Sequence, residues 1–206
     1  GGLRAVAISD TLNGIGLLLI GALVPVLGLV ALGDGSLIAG VNVVISEDTH
    51  KLNAIGASTD PVPLCTLFSG MILANLFYWG TNQYVIQRTL GARDLAEGQK
   101  GVLFSGYLKL LVPFFMMLPG IISYNLNRDA GFRSIDLAYP QLVRDVLPSY
   151  LSGFFLAVLL GAVFSSFNSL LNSAATLFCL DLYAPLRKTP LGDAQLISAA
   201  KLTSVV

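Results

Sequence analysis

Long uncharged runs separated by short polar segments divide this chain. Residues 11–33 lie between Asp10 and Asp34, residues 61–87 between Asp60 and Arg88, and residues 146–180 between Asp145 and Asp181. Residues 101–127 are interrupted only by Lys109, and a further apolar run begins near Ala194. A helix needs about 20 apolar residues to cross the roughly 30 Å hydrocarbon core of a bilayer. Each full run meets that length, so spans are expected over 5–32, 62–87, 101–127 and 147–182, with the start of another at 194–206. The run 146–180 exceeds one crossing, which calls for a tilted helix or one that extends past the membrane. A barrel strand would be about 10 alternating residues, far shorter than these runs. Pro25, Pro113 and Pro119 fall inside the spans, where proline permits kinks.

Composition agrees with a membrane protein. The chain is 54% hydrophobic and 12% charged, against about 25% charged in soluble domains. Its net charge of zero gives no electrostatic support for a nucleic-acid partner. Cys65 and Cys179 both lie in apolar runs and are expected to be buried free thiols. His50, the single histidine, sits in a polar loop, so no histidine metal site and no nucleophile–histidine pair supports an enzyme. The glycine-rich stretch from Gly91 to Gly101 lacks Walker spacing.

The connecting segments 34–60, 88–100, 128–145 and 181–193 set the orientation. Arg4, Arg88, Arg93, Lys100, Arg187 and Lys188 fall on one face, and Lys51, Arg128, Arg133 and Arg144 on the other. The positive excess places Gly1 and loop 88–100 in the cytoplasm. The chain opens Gly1-Gly2-Leu3-Arg4 and stops in a renewed apolar run, so it is read as an internal fragment of a longer multi-pass protein.

Three groups of residues could carry function. Asn75, Tyr78 and Trp79, spaced i, i+3 and i+4, share one helical face. An amide beside aromatic faces suits a sugar ring, whose hydroxyls need directed hydrogen bonds and whose C–H faces stack. The same residues could instead bond a neighbouring helix. Lys109 would cost roughly 2.5–3.5 kcal/mol at the middle of a lipid-facing helix; it either snorkels toward Gly101 or faces a water-filled cavity. In the run 146–180, Ser165, Ser169, Asn172 and Thr176 follow helical spacing, with Ser166 beside them. Their oxygens suit a small hard cation and serve equally as helix–helix contacts.

The wording of these motifs resembles one family. The stretches are Asn75-Leu-Phe-Tyr-Trp-Gly-Thr-Asn-Gln-Tyr-Val-Ile-Gln-Arg-Thr-Leu90, Leu118-Pro-Gly120, Gly161-Ala-Val-Phe-Ser-Ser-Phe-Asn-Ser169, and Asn172-Ser-Ala-Ala-Thr-Leu-Phe178 followed by Asp181-Leu-Tyr183. They resemble the sodium:solute symporter family and, within it, the sodium/glucose (galactose) cotransporter branch. The resemblance implies an all-α polytopic membrane protein that is part of a ten-helix inverted-repeat (LeuT-like) transporter core. It implies Na+-coupled symport of a monosaccharide across the cell (inner or plasma) membrane, with Na+, a small-molecule sugar and the lipid bilayer as partners. Residue by residue, Asn75 resembles the sugar-binding asparagine, Tyr78 the inner gate that stacks on the pyranose, Trp79 its neighbour in the site, and Lys109 the sugar-contacting lysine. Ser165 and Ser166 resemble side-chain ligands of the sodium site, and Ala162 a carbonyl ligand there. Asp10 matches an acidic position that influences sodium. The alternatives are a Na+-coupled symporter of sialic acid, inositol, a carboxylate or a vitamin, or a solute sensor or channel without coupled transport.

Overall fold

The computed structural model describes residues 3–53, 55–60, 62–128, 135–187 and 192–204. Among them all regular structure is helical. Arg133 and Lys188, two of the orientation charges, lie outside the described residues.

Helix α1 (Leu3–Leu32) is followed by a tight turn and α2 (Leu37–Asp48). Ser36 caps α2, its hydroxyl accepting from the Ala39 N–H at 3.4 Å. The turn brings α2 back so closely that a Cβ on Gly40 would stand 1.9 Å from the Leu29 carbonyl oxygen. Only glycine leaves room for that crossing.

The single helices expected over 62–87 and 101–127 are each divided. The first becomes a 3-10 turn (Leu64–Phe68), α3 (Gly70–Gly80) and α4 (Gln83–Leu90). The cause is local: the Thr81 and Asn82 amides both turn back to the Phe77 carbonyl, at 3.1 and 3.0 Å. Asn82 then starts a new helix by accepting from the Tyr84 N–H at 3.1 Å. The second becomes α5 (Leu95–Lys109) and α6 (Val112–Leu126). Asp94 caps α5, accepting from the Glu97 N–H at 2.9 Å. Proline 113 has no N–H to offer the Lys109 carbonyl, and its ring crowds that oxygen, so α5 ends there.

A 3-10 turn (Ile135–Leu137) leads into α7 (Ala138–Val146). Helix α8 (Ser149–Leu177) begins just after Pro148 and runs on through a π-helical turn (Phe178–Tyr183) into the short α9 (Ala184–Leu186). The last helix is α10 (Asp193–Thr203). Among the described residues, three helical stretches are long and apolar enough to cross a membrane: Arg4–Leu32, Leu95–Leu126 and Ser149–Leu186. The divided segment 62–87 is not among them.

Helix α1 is the hub. Its Gly21 faces Phe115 and its Gly28 faces Ile122, so α6 runs parallel to it. Its Gly16 faces Val158 and its Asn13 reaches Gly161, so α8 runs antiparallel. The buried apolar core lies at one end, where Ile20, Val24 and Leu29 of α1 meet Val44, Ile122, Leu142 and Val143. In a bilayer such contacts hold helices through close van der Waals packing rather than through exclusion of water. The Ser123 hydroxyl ties α6 to α7 by donating to the Ala138 carbonyl at 2.7 Å. Cys179 is buried as expected, but Cys65 is exposed: it sits in a 3-10 turn that has no buried residue.

Candidate functional site

The other end of α1 is polar. Asp10 accepts from the Arg88 Nε–H of α4 at 3.0 Å, and the Arg88 terminal nitrogen also contacts the same carboxylate oxygen. The second carboxylate oxygen accepts from the Ser165 hydroxyl of α8. Arg88 donates in addition to the Ser169 hydroxyl and to the Tyr84 carbonyl. One turn along α1, the Asn13 amide donates to the Gly161 carbonyl at 2.9 Å. A Cβ at Gly161 would stand 2.4 Å from the Asn13 Oδ1, so glycine there allows α1 and α8 to touch.

This arrangement is chemically directed. Ser165 spends its one proton on Asp10, which leaves its oxygen lone pairs as acceptors. An oxygen held in that way can serve a cation without competition from its own hydrogen bond. Asp10 balances the Arg88 charge across the helix interface. Of the four expected ion-site residues, Asp10 and Ser165 are brought into contact. Ala162 is half-buried beside Gly161, one turn back along α8, and Ser166 is exposed next to Ser165.

The expected solute residues gather at the junction of α3, α5 and α6. Tyr78 and Trp79 meet edge to face with ring centroids 5.4 Å apart. The Lys109 ammonium lies 4.4 Å from the Trp79 ring centroid and 5.3 Å from that of Tyr78, within cation–π range of both. The helix break at Pro113 makes Lys109 the last residue of α5. A groove of about 880 Å³ is lined by Asp10, Trp79, Arg88, Ser105 and Lys109, with apolar walls from α1 and α6. It joins the aromatic–lysine group to the Asp10–Arg88 pair. Asn75 does not line it. Asn75 faces an adjoining depression of about 510 Å³, in which Trp79 forms a shared wall, and its amide donates to the Met71 carbonyl at 2.8 Å.

Sequence reasoning placed Gln87 and Arg88 in a motif without giving them partners. The structure shows Gln87 bonded to α8 and Arg88 bonded to both α1 and α8. In the sequence these are only two opposite charges, Asp10 and Arg88, each flanking an uncharged run on the same predicted face, which does not pair them.

Comparison with known proteins bears on the family and the fold. A model of the sodium:solute symporter family matches residues 1–206. An uncharacterized symporter, YidK, from Escherichia coli is 51% identical over 183 residues, covering 89% of this chain and 32% of that protein. A sodium/glucose cotransporter from Vibrio parahaemolyticus is 35% identical over 228 residues, covering 100% of this chain and 42% of the relative. The human sodium/myo-inositol cotransporter 2 is 37% identical over 144 residues, covering 63% and 21%. Among solved structures, a substrate-bound, outward-open Na+-coupled sialic acid symporter superposes with a TM-score of 0.83 at 23% identity. That match covers 100% of this chain and 44% of the other, and it shows a shared fold. The chain thus spans less than half the length of each of these proteins.

Proposed function

Because the chain belongs to the sodium:solute symporter family, we propose that it supplies half of a site that couples Na+ entry to uptake of a small polar solute, a monosaccharide of the galactose or glucose type. The observation that carries this reading is the groove that puts Trp79 and Lys109 on the same surface as Asp10 and Arg88. Lys109 would donate to a solute hydroxyl, and the Tyr78 and Trp79 rings would stack on its C–H face. Asn75 would add amide hydrogen bonds from the adjoining depression. Ser165, Ser166 and the Ala162 carbonyl would hold Na+ through hard oxygen ligands, with Asp10 orienting Ser165.

Coupling follows from linkage. If Na+ stabilises the arrangement that accepts solute, each ligand raises the other's affinity by the same factor. The membrane potential adds about 2.3 kcal/mol per charge per 100 mV to drive the cycle. Tyr78 would close the solute on its inner side, and normal solute exit from a Tyr78→Ala protein would count against that gate.

The reading is tested by uptake of labelled galactose, glucose, myo-inositol and sialic acid into liposomes holding the full-length protein, with and without an inward Na+ gradient, beside Ser166→Ala. Sodium-dependent galactose or glucose accumulation, lost in the variant, is the expected result. Accumulation of inositol or sialic acid alone would reassign the solute. Solute binding with no accumulation would point to a sensor, and uptake indifferent to Na+ would remove the role given to Ser165 and Ser166.

A further inference from the structure

Gln87 is the largest buried polar side chain among the described residues, at 5% exposure. It lies on α4, and both ends of its amide are used. The Nε2 donates to the Ser169 carbonyl of α8 at 3.2 Å and to the Tyr84 carbonyl at 3.2 Å. The Oε1 accepts from the Asn172 Nδ2 of α8 at 2.8 Å. Ser169 itself is fully buried. An amide fixed at both ends across a helix interface sets rotation as well as distance, which an apolar contact does not.

The position of this clamp gives it a use. Ser165 lies one helical turn before Ser169 on α8, so a shift of the Ser165 region moves the carbonyl that Gln87 grips. Helix α4 is joined to α3, the carrier of Tyr78 and Trp79, through Thr81 and Asn82, both bonded to the Phe77 carbonyl. A short capped junction of that kind passes a displacement of α4 to α3.

We propose that Gln87 is the positioning residue that couples the two half-sites: through Ser169 and Asn172 it transmits ion occupancy on α8 to the aromatic pair on α3. This rests on the reading of Ser165 and Ser166 as ion ligands. The clamp is distinct from the Asp10–Arg88 pair, which holds α4 to α1 and ends on the Ser169 hydroxyl rather than its carbonyl.

The test is hydrogen–deuterium exchange of the full-length protein in nanodiscs, in sodium chloride against choline chloride, which requires no knowledge of the solute. In the unmodified protein Na+ is expected to slow exchange both in residues 160–170 of α8 and in residues 70–80 of α3. In Gln87→Leu the α8 response persists, and the α3 response falls at least about fivefold, the low end of usual coupling factors. Asn172→Ala, which removes one bond and leaves the Gln87 donors in place, guards against a folding defect and is expected to act in the same direction. Ser198→Ala deletes a hydroxyl that bonds the Ala194 carbonyl within α10, and is expected to leave both responses intact. An α3 response of unmodified size in both clamp variants would overturn the proposal while leaving the ion site standing. So would an unmodified protein whose α8 responds while α3 does not. An α8 segment indifferent to Na+ in the unmodified protein would overturn the ion reading and the clamp with it.

Discussion

Lys109 carries the only charge in the run 101–127, and its surroundings show how it is held. Its ammonium rests against two aromatic rings, 4.4 and 5.3 Å from their centroids, an attraction of about 0.5–2 kcal/mol per ring depending on desolvation. Lys109→Met keeps the volume and removes the charge. We expect it to shift the thermal midpoint in detergent little, as a thermal melt checks, and to weaken solute affinity at least about tenfold, as loss of a charged hydrogen bond does; isothermal titration of the solute identified by uptake checks the affinity. Asp10 and Arg88 make a different case, because neither side chain is fully exposed. Asp10→Asn strands the Arg88 charge. Its cost should fall between the ~0–1 kcal/mol of an exposed pair and the 3–5 kcal/mol of breaking a buried one. A double-mutant cycle with Arg88→Ala reads the coupling, and a value near zero would mean that the pair holds nothing together. The Lys109 environment was half legible in the sequence, since a lone charge in an apolar run has either to snorkel or to face a cavity; the two rings against it come from packing. The Asp10–Arg88 contact was not, because each residue looks like the water-facing flank of a span until the helices are packed.

The sequence announces its helices by apolar length and hides their interruptions for the same reason. Residues 61–87 and 101–127 contain no run of charges to mark a stop, so each was expected to be one helix. The stops are made by hydrogen bonding instead: Asn82 caps a new helix, and Pro113 withholds an N–H from the Lys109 carbonyl. Pro113→Ala restores that donor. Helix α5 is then expected to run into α6, raising amide protection over residues 110–114 and turning Lys109 away from the indole; unchanged exchange there would mean that tertiary packing makes the break. Gly40 makes the opposite kind of demand. With the Leu29 oxygen 1.9 Å from where a Cβ would sit, Gly40→Ala must push α2 off α1. We expect a loss of about 1–3 kcal/mol, typical of overpacking, read as a lowered thermal midpoint.

At the scale of the molecule, α1 separates two environments. Its later half is packed in an apolar core with α2, α6 and α7, and its first half meets α4 and α8 through side-chain hydrogen bonds. The directions of α6 and α8 relative to α1 place Arg88 and the second half of α8 at the starting end of α1, and loop 34–60 at the other. Single cysteines at Asn53→Cys and Arg93→Cys, in an otherwise cysteine-free full-length protein, are therefore expected to react with a membrane-impermeant maleimide from opposite sides of the bilayer. Labelling of both from one side would contradict this arrangement. Which faces of the helices pack was the least legible feature at this scale: a helix that is apolar all round shows no stripe to mark its neighbour.

The π-helical turn of Phe178–Tyr183 gives α8 one residue more than an α-helix needs over the same rise. The residue inserted there turns everything past it by about 100° relative to an unbroken α-helix. The buried Cys179 and the acidic Asp181 lie inside that turn, with the Arg187–Tyr183 contact just past it. Helix α8 thus ends in a change of phase: the face that carries Ser165 and Ser169 is not the face that an uninterrupted helix would hand on to Tyr183 and Arg187.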